Sequence, residues 1–171
     1  GAAVADPITA KQAKKALFAP VKVAVVAVPV ANLPEDQAKT LQLAGPTQVY
    51  YGAIAMSPDD GLMTDATVIA ANYHNTEAAS VAAVADCNAK KKGKADCVVA
   101  AIIRPKGWKD RDFQLSSDAT AAVKTELKKS MLMAISQSTG AWAIGADDAA
   151  AVEACAAKNE KASDCAVVIA N

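Results

Sequence analysis

Four cysteines stand in two pairs, Cys87 with Cys97 and Cys155 with Cys165, and nine residues separate the members of each pair. No other feature constrains the fold as much, because each pair sits in the same context. An alanine-rich stretch leads into the first cysteine, A82-A-V-A-D-C87 in one case and A150-A-V-E-A-C155 in the other. A valine-rich stretch follows the second, D96-C-V-V and D164-C-A-V-V. On a helix, Ala79, Ala83 and Cys87 fall at i, i+4 and i+8, and so on one face; Ala151 and Cys155 do the same. A face of alanines lets a helix lie close against a sheet, which brings its last-turn cysteine near the strand returning beneath it. Local bridges Cys87–Cys97 and Cys155–Cys165 are therefore favoured among the three possible pairings. Each would stabilise its unit by roughly 2–3 kcal/mol.

Other uses of the cysteines fit less well. A redox pair has two intervening residues rather than nine. A four-cysteine zinc site wants close pairs, and neither half offers Cys-x-x-Cys. One histidine in the chain excludes a histidine-rich metal site. The cysteines read as structural disulfides, with no metal, and disulfides place the chain outside the cytoplasm.

The repetition extends beyond the cysteines. A55-M-S-P-D-D-G61 matches A134-I-S-Q-S-T-G140: a strand ends in serine, three turn residues follow, and glycine supplies the positive φ that closes a hairpin. Each hairpin leads to one of the alanine-rich helices. The spacing predicts a β-β-α-β unit twice, residues 50–104 and 131–171, joined over 105–130 by a polar loop and a helix from about Ser117 to Ser130. The first copy has about eleven extra residues before its helix, expected to lengthen the strand T67-V-I-A-A-N-Y73 and its following loop.

Residues 6–49 are expected to add an N-terminal α/β extension. Asp6-Pro7 opens an amphipathic helix with Ala13, Ala16 and Leu17 on one face, and Pro20 stops it. A strand follows over residues 21–28, placed at a sheet edge by Pro29, and then a helix over Leu33 to Leu43, opened by Pro34-Glu35-Asp36 and closed by Gly45-Pro46. Gly1-Ala2-Ala3-Val4-Ala5 ends in the small-residue pattern that signal peptidase cuts after, and reads as the tail of an export signal. The longest apolar run, residues 23–31, is far short of the roughly 20 residues of a spanning helix, so no transmembrane segment is expected. Lys plus Arg and Asp plus Glu are 18 each, so no field over the whole surface attracts nucleic acid. The fold class that follows is α+β, a mainly antiparallel sheet from two β-β-α-β repeats with helices largely on one face.

The hairpins with Ser57-x3-Gly61 and Ser136-x3-Gly140, the alanine-rich helices ending in cysteine, and the Cys-x-Val strands resemble a bacterial family of exported domains of unknown function. The resemblance covers roughly Tyr50 to Asn171 and implies export and the repeated unit, but no activity and no catalytic residues. This chain departs from the pattern by its insertion and its lysine-rich first cysteine loop. The name 5-aminolevulinate synthase attached to chains of this kind is one the sequence argues against. Such a pyridoxal-phosphate enzyme needs a domain of several hundred residues and a lysine in a prepared cofactor site, and works in the cytoplasm.

Candidate sites are few. His74, after Tyr73 and just before a helix, has the chemistry of a general base, or marks the neighbourhood of a helix cap at Asn75 or Thr76. Lys90, Lys91, Lys92 and Lys94 could attract an anionic partner or form a solvated loop. Trp108, beside Arg104, Lys106, Lys109 and Arg111, has the composition of an interface anchor, or packs against the sheet. Trp142 alternates with small residues and reads as strand core. The carboxylate pairs Asp59-Asp60 and Asp147-Asp148 fit a turn and a helix start. No catalytic residue and no cofactor are assigned. The functional expectation is an exported, disulfide-stapled, non-enzymatic module that binds a protein or envelope component, with Trp108, Arg104, Arg111, His74 and Tyr73 as candidate binding residues. A small periplasmic hydrolase or transferase using His74, or a self-assembling envelope protein, is the alternative.

Overall fold

The computed structural model describes residues 6–30, 33–44 and 47–171, so the expected signal tail at residues 1–5 and the Gly45-Pro46 stop lie outside the described residues. In chain order the elements are α1 (Ala10–Ala16), β1 (Val23–Ala27), α2 (Glu35–Ala44), β2 (Gly52–Met56), β3 (Val68–Ala70), α3 (Thr76–Lys90), β4 (Val98–Pro105), α4 (Ser117–Thr125), β5 (Leu132–Ile135), β6 (Trp142–Gly145), α5 (Asp148–Ala156) and β7 (Ala166–Ile169). The class is α+β with antiparallel sheets, as the sequence predicts. The strands divide between two sheets, β1-β4-β2-β3 and β6-β5-β7. Within each, the hairpin strand β2 or β5 lies central, flanked by its hairpin partner and by the strand that returns after the helix.

Alternation along the central strands explains how each sheet is covered. In β2, Ala53 and Ala55 meet Ala79, Ala83 and Cys87 of α3, while Ile54 and Met56 meet Leu41 of α2 on the other face. In β5, Ala134 meets Ala151 and Cys155 of α5, while Met133 and Ile135 join Ala119 and Val123 of α4 and Ala13 of α1. Each sheet thus has an alanine face against its own stapled helix and a bulky face against helices from elsewhere in the chain. Helices therefore cover both faces of each sheet: a one-sided cover would leave Ile54, Ile103, Met133 and Ile169, all buried, in water.

The alanine faces end in the disulfides. Cys87 is bonded to Cys97 and Cys155 to Cys165, with Cα atoms 6.1 Å apart in both and ten residues of separation.

Caps decide where the helices begin. Asn75, Ser116 and Asp147 each accept the N–H three residues on, at 2.7, 3.1 and 2.8 Å, and open α3, α4 and α5. Helix α1 opens at Thr9 rather than Asp6, because Thr9 and Gln12 form a reciprocal capping box. The turn glycines have the positive φ predicted, +96° at Gly61 and +82° at Gly140. The long strand predicted over 67–73 is interrupted: β3 holds three residues, Asn72 turns to φ +64°, and Tyr73 resumes pairing with Tyr51 through two backbone bonds of 3.0 and 3.1 Å. The extra residues of the first unit form the 62–67 loop and this bulge.

Residues before Tyr50 contribute to both cores. β1 pairs along β4 as an edge strand, and Ile8 pairs with β7, donating to the Val168 carbonyl and accepting from Ala170. Opening either staple by a paired Cys→Ala exchange (Cys87 with Cys97, or Cys155 with Cys165) is expected to lower unfolding free energy by roughly 2–3 kcal/mol. Urea denaturation reads it, and unchanged midpoints would show that the bridges do not constrain the unfolded chain.

Candidate functional site

The chemistry-bearing side chains sort into those consumed by the scaffold and those left facing solvent. Both hairpin turns are tied to the neighbouring cystine loop by carboxylates. Asp60 accepts the backbone N–H of Lys92 and Gly93 at 2.7 and 2.9 Å, and Asp59 accepts that of Ala95 at 2.9 Å. The approach is so close that a Cβ on Gly93 would lie 2.3 Å from that of Asp59. The Lys92 N–H is the largest reason that the Asp60 carboxyl titrates below its ordinary value. In the second unit the direction reverses. Asp164, one residue before Cys165, accepts the Ser138 N–H and hydroxyl, both at 2.9 Å, and the Ser136 hydroxyl at 2.5 Å. Burial pushes Asp164 up, and these bonds outweigh it, so its carboxyl also lies below the usual value. The paired carboxylates of the sequence are therefore turn-to-loop ties and, at Asp147, a helix cap. No group of histidine, cysteine or acidic residues placed to hold a metal occurs among the described residues.

His74 is buried, 1% exposed, at the junction of the two units. Its Nδ1 accepts the backbone N–H of Ser116 at 3.1 Å, and its Nε2 lies 3.1 Å from the carbonyl of Ala141. A backbone N–H only donates and a carbonyl only accepts, so the ring is neutral with its proton on Nε2. Burial, outweighing the carbonyl contacts, pushes its pKa down to about 4. Both nitrogens are committed, which leaves His74 no means of taking a proton from a substrate. Around it the units meet closely: Asn75 Nδ2 donates to Gln137 Oε1 at 2.9 Å, and a Cβ on Gly140 would come within 2.6 Å of the Asn72 carbonyl oxygen. Asn72 and Asp118 add a reciprocal pair, side chain to side chain at 2.6 Å and Asp118 N–H to Asn72 Oδ1 at 3.2 Å.

Tyr73 is half-buried and looks into a cleft of about 590 Å³ between the units, with β3 and α3 on one side and Ser138, Thr139 and Lys161 on the other. Burial and the nearby Asp86 raise its phenol pKa.

Trp108 is half-buried against the core that holds Tyr51 and Ile103; its indole N–H donates to Gln114 Oε1 at 2.8 Å, and the Arg104 guanidinium covers its ring at 4.5 Å. Arg111 covers the Phe18 ring at 4.0 Å and donates to the Ala16 carbonyl at 2.5 Å. Of the sequence-predicted residues, Arg104 and Trp108 are in direct contact, Arg111 is engaged by Phe18 and Ala16, and His74 and Tyr73 have partners of their own. Lys91 is used inside its own loop, donating to the Lys94 and Ala95 carbonyls at 3.1 and 2.8 Å, and Lys90 pairs with Asp86 at 3.2 Å.

One feature of this region escaped the sequence reading. Residues 11–22 carry four lysines and no acidic residue, and the chain folds them onto residues 104–114, which carry four cations against Asp110 and Asp112. Arg111 reaches Ala16, Lys106 N–H donates to the Lys22 carbonyl at 3.3 Å, and Ala24 stands opposite Arg104 across the sheet. The two segments sum to +6 in a chain of net charge zero. The absence of acidic residues in 11–22 was the legible signal; its juxtaposition with the Trp108 loop was not. Among the described residues no helix is long and apolar enough to cross a membrane. Comparison with family models, with characterised proteins and with solved structures yields no match.

His74 also makes a prediction about pH. The folded state binds fewer protons than the unfolded chain between the ordinary histidine value of 6.5 and about 4. Its contribution is therefore complete above pH 6.5 and is lost as pH falls, the loss reaching about 3 kcal/mol by pH 4. Asp60 and Asp164, held below the ordinary aspartate value of 3.8, lose their contributions in a lower window. His74→Gln keeps an acceptor for Ser116 and a donor for Ala141 without a titrating group. Urea midpoints measured from pH 7 to pH 4 should fall more steeply for the natural chain than for this variant; equal slopes would show that His74 titrates as if exposed.

Proposed function

We propose that this chain is a non-enzymatic, disulfide-stapled interaction module of an oxidising compartment, built by duplication of the stapled unit, and that it docks on an anionic envelope component through the face around Trp108. The observation that carries this reading is the +6 charge of residues 11–22 together with 104–114, in a molecule whose remaining surface is acidic by the same amount. None of those eight cations belongs to an ion pair among the described residues, where the pairs join Lys39 to Glu35, Lys90 to Asp86 and Lys91 to Asp96. Such a field raises the local concentration of an anionic partner and orients its approach. Arg104 and Arg111, placed over the rings of Trp108 and Phe18, keep side chains that would otherwise be mobile in fixed positions, which lowers the entropy lost on docking.

The two disulfides and the resemblance to exported bacterial domains support placement outside the cytoplasm. The shared strand order of β3-β2-β4 and β6-β5-β7, each with its staple at the end of its helix, supports duplication. The commitment of both His74 nitrogens and of Asp59, Asp60 and Asp164 weighs against a hydrolase or transferase centred on that histidine. In this reading Trp108 is a platform rather than an inserted anchor, since its N–H is already bonded.

The test is retention on a phosphate-bearing cation-exchange matrix at neutral pH. The natural chain should be retained despite its zero net charge and elute with added salt. The double variant Lys106→Glu with Lys109→Glu, two exposed positions, should elute much earlier at an unchanged melting temperature. Equal elution of the two proteins would remove this face from consideration.

A further inference from the structure

The turn joining α1 to β1 carries one exposed apolar side chain in the middle of the basic face. Val21 is 83% exposed, although the residues on either side of it are firmly held. The Ser117 hydroxyl donates to the Pro20 carbonyl, the Lys106 N–H donates to the Lys22 carbonyl at 3.3 Å, and Lys124 Nζ reaches the Phe18 carbonyl at 3.4 Å. Three carbonyls of a five-residue stretch are thus anchored to α4 and to the loop after β4. Val21 is presented outward by this held turn, which carries Lys22 and is bonded to the segments that carry Lys106 and Lys124. A lone exposed valine means nothing by itself on a protein surface. Surrounded by unpaired cations, and held on a turn that cannot fold it away, it has the arrangement of a surface that meets lipid: cations at headgroup depth and an apolar tip beyond them.

Resting on the reading that this face docks on an anionic envelope component, we propose that the component is the surface of a bilayer containing anionic phospholipid. The cations of residues 11–22 and 104–114 would engage headgroup phosphates, and Val21 would enter the boundary between headgroups and acyl chains. A soluble polyanion would use the same cations but would have no use for Val21, and this difference separates the two sources of negative charge. A bilayer is also a broad target, which suits cations spread over a helix, a turn and a loop rather than gathered round one cavity.

The experiment is co-sedimentation of the intact, oxidised protein with vesicles of equal parts phosphatidylglycerol and phosphatidylcholine, and with vesicles of phosphatidylcholine alone. Binding is expected to the first and not to the second, and is expected to weaken as salt is raised. Lys106→Glu with Lys109→Glu should weaken it by about tenfold or more. Val21→Ser should weaken it several-fold while leaving retention on the phosphate matrix unchanged; Val21 is exposed, so the variant folds. Two outcomes would overturn the bilayer proposal and leave the anionic-component reading intact: retention on the matrix with no vesicle binding, or vesicle binding indifferent to Val21→Ser. Loss of both retention and vesicle binding would overturn the two together.

Discussion

The contact on which the rest of the structure depends is the neutral imidazole of His74, which joins the entry to α3, the first turn of α4 and the start of β6. It accepts from Ser116 and donates to Ala141, and so holds groups from three separate stretches of chain at hydrogen-bond distance. Ser116 caps α4, and α4 covers the bulky face of the second sheet, so one ring sets both the approach of the two units and the cover of the second core. An ionised ring would place a second donor against the Ser116 N–H in a buried site. Depressed basicity is the price of that role, and a stability that declines in acid is its consequence.

Within each unit the spacing between helix and sheet is set by alanine. Small side chains on α3 and β2, and on α5 and β5, bring backbones together, and the cystine fills the end of the interface where the helix leaves the sheet. The fully buried bulky side chains lie on the opposite faces, where Ile54, Ile103, Met133 and Ile169 bury apolar area against α2, α1 and α4. The stapled units are therefore incomplete alone. Each has a bulky face covered by segments outside it, and the described residues before Tyr50 accordingly contribute a strand and a helix to the first core and Ile8 and α1 to the second.

The disulfides, the turn glycines and the succession of strand, strand, helix and strand were legible because they rest on local signals: cysteine spacing, positive φ and alternation of small and large residues. Helix starts were legible where an Asx or Ser cap preceded the apolar pattern, and less so at α1, where Asp6-Pro7 offers a plausible start but the Thr9–Gln12 box is the one used. What could not be read were contacts between segments far apart in the chain. His74 looked like a candidate base because nothing near it in sequence says that Ser116 and Ala141 will enclose it. Asp164 was visible only as the residue before a cysteine, whereas its partners come from the hairpin 26 residues earlier. The basic face divides between residues 11–22 and 104–114, so overall neutrality concealed it.

The central claim is structural: the one histidine of the chain is held neutral, with both ring nitrogens bonded to backbone groups. The most direct test is the ring itself, observed by long-range proton–nitrogen correlation spectroscopy on nitrogen-15-labelled protein from about pH 8 to about pH 6. Nδ1 should report an unprotonated acceptor, Nε2 a bonded N–H, and neither should move over that range. A ring that titrates near the ordinary histidine value of 6.5, or that carries its proton on Nδ1, would contradict the account and return His74 to the candidates for acid–base chemistry.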